Sequence, residues 1–147
     1  MFYFRKVMNT LILLNFIASF TMLGVILVTQ IVSYPMFLNV NKKGFTLFHS
    51  MYVKRISSIV MPVMTIELIL SVILFFTLDG ILSQISLTTL ILILISTAFI
   101  QVPIHEKLKF KHDEFLTKKL IRTNWIRTSL WSIKSIISYN IIVKELL

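Results

Sequence analysis

Three stretches of this chain, Leu11–Ser33, Ile56–Leu78 and Ile81–Ile104, contain a single charged residue between them, Glu67. At 1.5 Å rise per residue, about 20 apolar residues cross the hydrocarbon core of a bilayer. Each stretch is long enough, and inside a bilayer the backbone must satisfy its own hydrogen bonds, as a helix does. A fourth stretch, Thr123–Val143, has the length but holds Arg127 and Lys134. Each central cation costs roughly 2.5–3.5 kcal/mol on insertion scales. The alternative for this segment is a helix lying in the interface. The expected fold is all-α: one integral membrane four-helix bundle over residues 1–147, with spans at 11–33, 56–78, 81–104 and 123–143.

The start, MFYFRKVMNTLILLNFIASF, has the basic-then-apolar order of a signal peptide. The apolar run continues to Ser33 without a small-x-small cleavage site, so a retained first span is expected. Hydrophobic residues make up 56% of the chain, and mean hydropathy is +0.88. Cysteine is absent, which excludes disulfides, thiolate metal sites and cysteine nucleophiles. The net charge is +9. Because the basic residues flank apolar runs, the expected partner is the lipid bilayer and its anionic headgroups, not nucleic acid. Oligomeric state cannot be read from this pattern.

Ten Lys and Arg residues lie in the connections before spans two and four, namely Lys42, Lys43, Lys54, Arg55, Lys107, Lys109, Lys111, Lys118, Lys119 and Arg122. Only Arg5, Lys6 and Lys144 lie on the other side. The positive-inside rule therefore places both termini away from the cytoplasm, in what is read as a bacterial cytoplasmic membrane. Asp79–Gly80 is a tight-turn signal joining spans two and three. The other two connections are expected to run to roughly twenty residues each. In the first, NVNKKGF marks a turn at Asn41–Gly44, and FTLFHSMYVKRI is expected to extend span two. In the second, HEKLKFKHDEFLTKKLIR is expected to form a helix leading into span four. Pro35, Pro62 and Pro103 are expected to kink or end helices.

A helix turns 100° per residue, so spacing assigns faces. Asn124, Arg127, Trp131, Lys134 and Ser138 make one stripe of span four, expected to face protein. Ile126, Leu130, Ile133, Ile137 and Ile141 make a second, expected to face lipid. Asn15, Ser19, Gln30 and Ser33 share a side of span one, and Thr97, Gln101 and His105 a side of span three. Glu67 and Ser71 share a side of span two, which Tyr52, Ile56 and Val63 extend. Glu67 and Lys134 each lie 11 residues from the same boundary, about 16 Å deep. They are the expected ion pair, with Arg127 as the second candidate for Glu67.

His49, His105 and His112 fit no zinc spacing, and no metal is expected. They read as interfacial histidines, hydrogen-bonded or solvated. His105, on the inward stripe, is the candidate acid or base. Gln101, Asn124, Arg127 and Trp131 are the candidate ligand-binding residues. Tyr34, Tyr52 and Trp125 are expected to be interfacial anchors.

Taken together, VSYPMF, FHSMYVKRI, PVMTIE, QVPIH and TNWIRT resemble a widespread group of bacterial four-span membrane proteins distantly similar to the anthrone oxygenase-like family. That family's P-x-(N/H) after the third helix and N-x-x-R in the last correspond here to Pro103, His105, Asn124 and Arg127. The resemblance implies binding, and oxidation without a cofactor, of a polycyclic aromatic substrate. The residues themselves point to a polar intramembrane pocket for a small hydrophobic or aromatic molecule. Two other readings stand beside it: a small transporter-like protein using Glu67 as its proton or cation site, and a structural accessory subunit. A reporter active only in the cytoplasm, fused after Leu147, is expected to give no signal. A strong signal reverses the orientation.

Overall fold

The computed structural model describes residues 2–147, without the side chains of Phe2 and Phe4. It is helical over 90% of its length, with no strand among the described residues. Helix α1 (Phe2–Val28) passes through a π-helical turn (Thr29–Ser33) into the short α2 (Tyr34–Met36) and a 3-10 turn (Phe37–Asn39). Helix α3 covers Phe45–Thr77. Helix α4 (Ile81–Ser96) passes through a second π-helical turn (Thr97–Gln101) into α5 (Val102–Leu108), and α6 covers Glu114–Leu146. Three continuous helical stretches, Arg5–Asn39, Phe45–Thr77 and Ile81–Leu108, are long and apolar enough to cross a membrane. Helix α6 packs along both α1 and α4, and α3 packs along α1.

The connections are shorter than the sequence suggests. Only residues 40–44 and 109–113 separate the long helices at the basic end, because both flanking segments are themselves helical. The turn at Asn41–Gly44 is present, closed by Gly44 N–H on Asn41 O at 3.0 Å. FTLFHSMYVKRI does extend the second long helix. HEKLKFKHDEFLTKKLIR does not form one helix: it breaks after Leu108 and restarts at Glu114. Asp113 caps the restart, accepting Leu116 N–H at 3.0 Å. That bond, first among its causes, holds the Asp113 carboxyl below the usual range. His105 and His112 therefore do not share a helix face.

Pro35 and Pro103 do not end their helices. Each sits two residues beyond a π turn, in which Tyr34 N–H reaches Thr29 O and Val102 N–H reaches Thr97 O. A proline ring clashes with the carbonyl four residues earlier, and the wider turn makes room for it. Pro62 lies inside α3 without interrupting it.

The interior is layered. At the hairpin end, Ile12, Leu74, Ile137 and Ile141 form one apolar cluster. Ile137 and Ile141 are therefore buried, contrary to their expected lipid-facing position. Helix α6 has neighbours on two sides, which widens its buried face. Next comes a polar layer to which every long helix contributes. Lys134 Nζ lies 3.2 Å from Glu67 Oε1, both side chains fully buried. Ser19 Oγ donates to Glu67 Oε1 at 2.6 Å. Lys134 donates to Ser86 at 2.9 Å and to Ser71 at 3.3 Å. Asn15 Nδ2 donates to Ser71 at 2.9 Å, and Ser138 lies 3.1 Å from Ser19. Beyond it, Met22, Ile26, Met64, Leu90, Ile93 and Trp131 form a second apolar layer.

Removing one partner of a buried pair leaves an uncompensated charge, at about 3–5 kcal/mol. Glu67→Ala and Lys134→Ala should each lower the midpoint of thermal unfolding in detergent. The double variant should recover much of the loss. A double variant as unstable as the sum of the singles would show that the two charges do not stabilise one another.

Candidate functional site

Above Trp131, towards the basic end, lies a second polar layer built around Arg127. Both of its outer flanks come from the π turns. Gln30 Nε2 donates to Ile121 O at 3.1 Å and Gln101 Nε2 to Thr123 O at 3.3 Å, so α1 and α4 both grip the α6 backbone here. Asn124 Nδ2 donates to Gln30 Oε1 at 2.7 Å, which fixes the amide so that its Oδ1 faces Arg127. Arg127 donates to that Oδ1 from Nε at 2.9 Å and also from Nη2. It donates to Tyr34 Oη at 3.2 Å and, at the long limit of 3.5 Å, to Thr97 Oγ1. Among the described residues no carboxylate pairs with Arg127.

The bonds continue from Tyr34. Its Oη lies 2.9 Å from His105 Nε2, and His105 Nδ1 lies 2.9 Å from His49 Nε2. Tyr34 accepts from Arg127, which has donors only. The donor and acceptor roles along the two histidines depend on their tautomers. Four residues from four helical segments thus form one row, Arg127 to Tyr34 to His105 to His49, in which both ring nitrogens of His105 are engaged.

Beside this row is a cavity of about 560 Å³. Its polar end is Tyr34, Thr97, Gln101, His105 and Arg127, with Glu106 at the rim. The rest is mostly apolar wall, including Met22, Val60, Met64, Leu68, Leu94 and Trp131, with Thr29, Ser57 and Thr65 set into it. The volume falls in the range of small-molecule sites, about 300–1,000 Å³. His105, Gln101, Arg127 and Trp131 therefore meet at one pocket. Asn124 stands behind Arg127 and holds it, outside the cavity wall. Glu67 pairs with Lys134, and Trp131 lies between that pair and Arg127 along α6.

Two members of the row were not singled out by the sequence reading. Tyr34, expected as an interfacial anchor, is 3% exposed. His49, expected near the interface, is fully buried, stacked on Phe45 with ring centroids 5.6 Å apart. The signal for His49 existed, because it lies on the α3 face that also carries Tyr52, Ile56 and Glu67. The signal for Tyr34 was masked. At 100° per residue, Ser33 falls in line with Asn15 and Ser19, while Tyr34 falls about 80° off that face. The π turn absorbs the difference: Tyr34 is buried and Ser33 is partly exposed. Tyr52, the third expected anchor, is half-buried against Tyr34 and Phe37, whereas Trp125 is exposed.

No family model matches this chain, and no curated protein or solved structure matches it either. The anthrone oxygenase-like resemblance rests on the short motifs alone.

Asn124→Ala removes the main acceptor of Arg127 and the donor to Gln30 together. An unsatisfied buried polar group costs about 1–3 kcal/mol, more when charged. The variant should unfold at lower temperature than Thr123→Ala, its partly exposed neighbour. Equal stability of the two variants would mean that Arg127 finds other acceptors.

Proposed function

We propose that this chain is an integral membrane four-helix bundle that binds a small hydrophobic or aromatic molecule, with an oxygen of the ligand held by Arg127. The observation that carries the reading is the cavity: one end presents a guanidinium without a carboxylate partner, and the remaining wall is mostly apolar. A charge left unmatched by the protein favours a ligand oxygen that is anionic or strongly polarised. Met22, Met61 and Met64 supply an adaptable wall suited to a flat or flexible body. Trp131 offers an aromatic face. The proposal concerns binding and includes no covalent step.

In this reading α6 is the fourth span. Its two cations are supported by what surrounds them: Lys134 has its carboxylate, and Arg127 lies at the polar end of the pocket. The three apolar helices support the membrane setting. The ten-to-three distribution of basic residues supports placing the pocket's polar end towards the cytoplasm, with both termini on the far side. Glu67, bonded to Lys134 and Ser19 in a filled layer, is better suited to fastening the helices than to carrying a cation.

In a Trp125→Phe background Trp131 is the only tryptophan. Adding 2-naphthol to the purified protein should change its emission saturably and raise the unfolding temperature. Val60→Phe, which narrows the cavity, should abolish both effects. Arg127→Gln should weaken binding about tenfold, a loss of about 1.4 kcal/mol. Unchanged binding in Val60→Phe places the probe elsewhere and sinks the proposal.

A further inference from the structure

We infer that the natural occupant of this pocket is an amphiphilic anion taken sideways from the bilayer, with its oxyanion on Arg127 and its chain lying between α3 and α4. The inference rests on the pocket reading above and adds the chemical class of the ligand and the side from which it arrives.

The first observation is the direction of the polarity gradient. The polar end of the cavity, at Tyr34, His105 and Arg127, lies nearest the basic end of the bundle, where α3 carries Lys54 and Arg55, α5 carries Lys107, and Lys109 follows it. The apolar end, at Met22, Leu68 and Trp131, lies deeper along the helices. On α3 the lining runs from Tyr52 to Leu68, sixteen residues or about 24 Å. A lipid in that leaflet has the same order, headgroup outward and chain inward. The ligand need not turn over to seat itself.

The second observation is the wall. Facing stretches of α3 and α4–α5 line the cavity, and several of their residues are also on the outer surface. Met61 is 62% exposed and Val102 46%, and Thr65 and Ala98 are exposed as well. The cavity therefore reaches the outside between these two helices, along a surface of apolar residues that belongs against hydrocarbon in the proposed setting. A water-borne ligand would gain nothing from an apolar mouth at this depth.

The third observation is charge. Arg127 has no carboxylate among the described residues, and four of its N–H bonds go to neutral oxygens of Asn124, Tyr34 and Thr97. Glu106 is the only acidic residue at the rim, and Lys109 holds its carboxylate at 2.5 Å. The net field at the polar end is positive. A fatty carboxylate and the phosphate of an anionic phospholipid share the required chemistry.

The test places the Trp125→Phe chain in phosphatidylcholine nanodiscs and follows Trp131, which is 1% exposed and borders the cavity. Bromine quenches tryptophan on contact. Three probes are added: a brominated stearic acid, its methyl ester, and a brominated phosphatidylglycerol. The acid or the phosphatidylglycerol should quench saturably at a mole fraction about tenfold below the ester, with Val60→Phe insensitive to all three. Quenching by the acid alone identifies a free carboxylate as the source; quenching by the phosphatidylglycerol alone identifies a phospholipid. Arg127→Gln should erase the preference for the anion, and Arg127→Lys, which keeps the charge, should retain it. If acid and ester quench alike, the pocket reading survives and the anion inference is overturned. If 2-naphthol binds but no brominated probe quenches, the ligand does not come from the bilayer. If 2-naphthol also fails, the pocket reading itself has failed.

Discussion

The ion pair between Glu67 and Lys134 fixes how the four long helices meet. Two fully buried charges are tolerable when they face one another and neighbouring hydrogen bonds offset part of their desolvation; here these bonds converge on Glu67 Oε1 and Lys134, while Glu67 Oε2 has no partner among the described residues. That requirement recruits Ser19 from α1, Ser71 from α3 and Ser86 from α4, with Ser138 and Asn15 completing the layer. The helices cannot rotate or slide without separating these groups. Depth and facing of all four elements are thereby set at one level, and the layers on either side inherit that alignment.

The second polar layer has a different character. Its polar groups bond to one another, as in the first, but a cavity lies beside them and its cation has no matching anion. Trp131 forms the boundary, with Lys134 on one side and Arg127 on the other. The contrast separates the two cations by role. Lys134 is matched and enclosed, as a structural charge has to be. Arg127 is held in a defined pose by Asn124 and Tyr34, yet its charge remains available. A pose fixed before a ligand arrives lowers the ordering cost of binding.

Much of this was legible in the residue pattern, and the failures have physical causes. The three long apolar helices follow from the uninterrupted apolar runs, and α6 is helical where its charged stripe left a second reading open. The Glu67–Lys134 pairing followed from equal counts along two helices that run in the same direction from the same boundary, a rule that needs nothing beyond the helical rise. The meeting of Gln101, His105 and Arg127 followed from adjacent inward stripes. The connections were misjudged because charged, amphipathic segments continue as helix when neighbours supply a surface to pack on. Ile137 and Ile141 were misplaced because one stripe was assigned to α6, whose two neighbours bury a wider arc. Tyr34 and His49 are more enclosed than expected because an aromatic cluster around Phe37 and Phe45 closes over that end, and His49 is hydrogen-bonded as expected. Nothing in the periodicity of one helix announces such closure. His105 was found, but its two bonded nitrogens were not. That pairing depends on α2, α3 and α5 converging.

The two π turns make α1 and α4 different in kind from α3. Each is a pair of half-helices with separately set phase: one half tuned to the Glu67 layer, the other to the Arg127 layer. An exchange of one side chain within Thr29–Ser33 or Thr97–Gln101 leaves that phasing alone. If either turn relaxed to ordinary pitch with its residues kept, everything beyond it would swing by about 100°. Tyr34 or His105 would then leave the row while the ion pair stayed intact. The loss of one residue there would instead remove the extra residue that the wide turn holds, and the two halves would keep their phase. Each turn is thus a place where the chain carries one residue more than its facing requires.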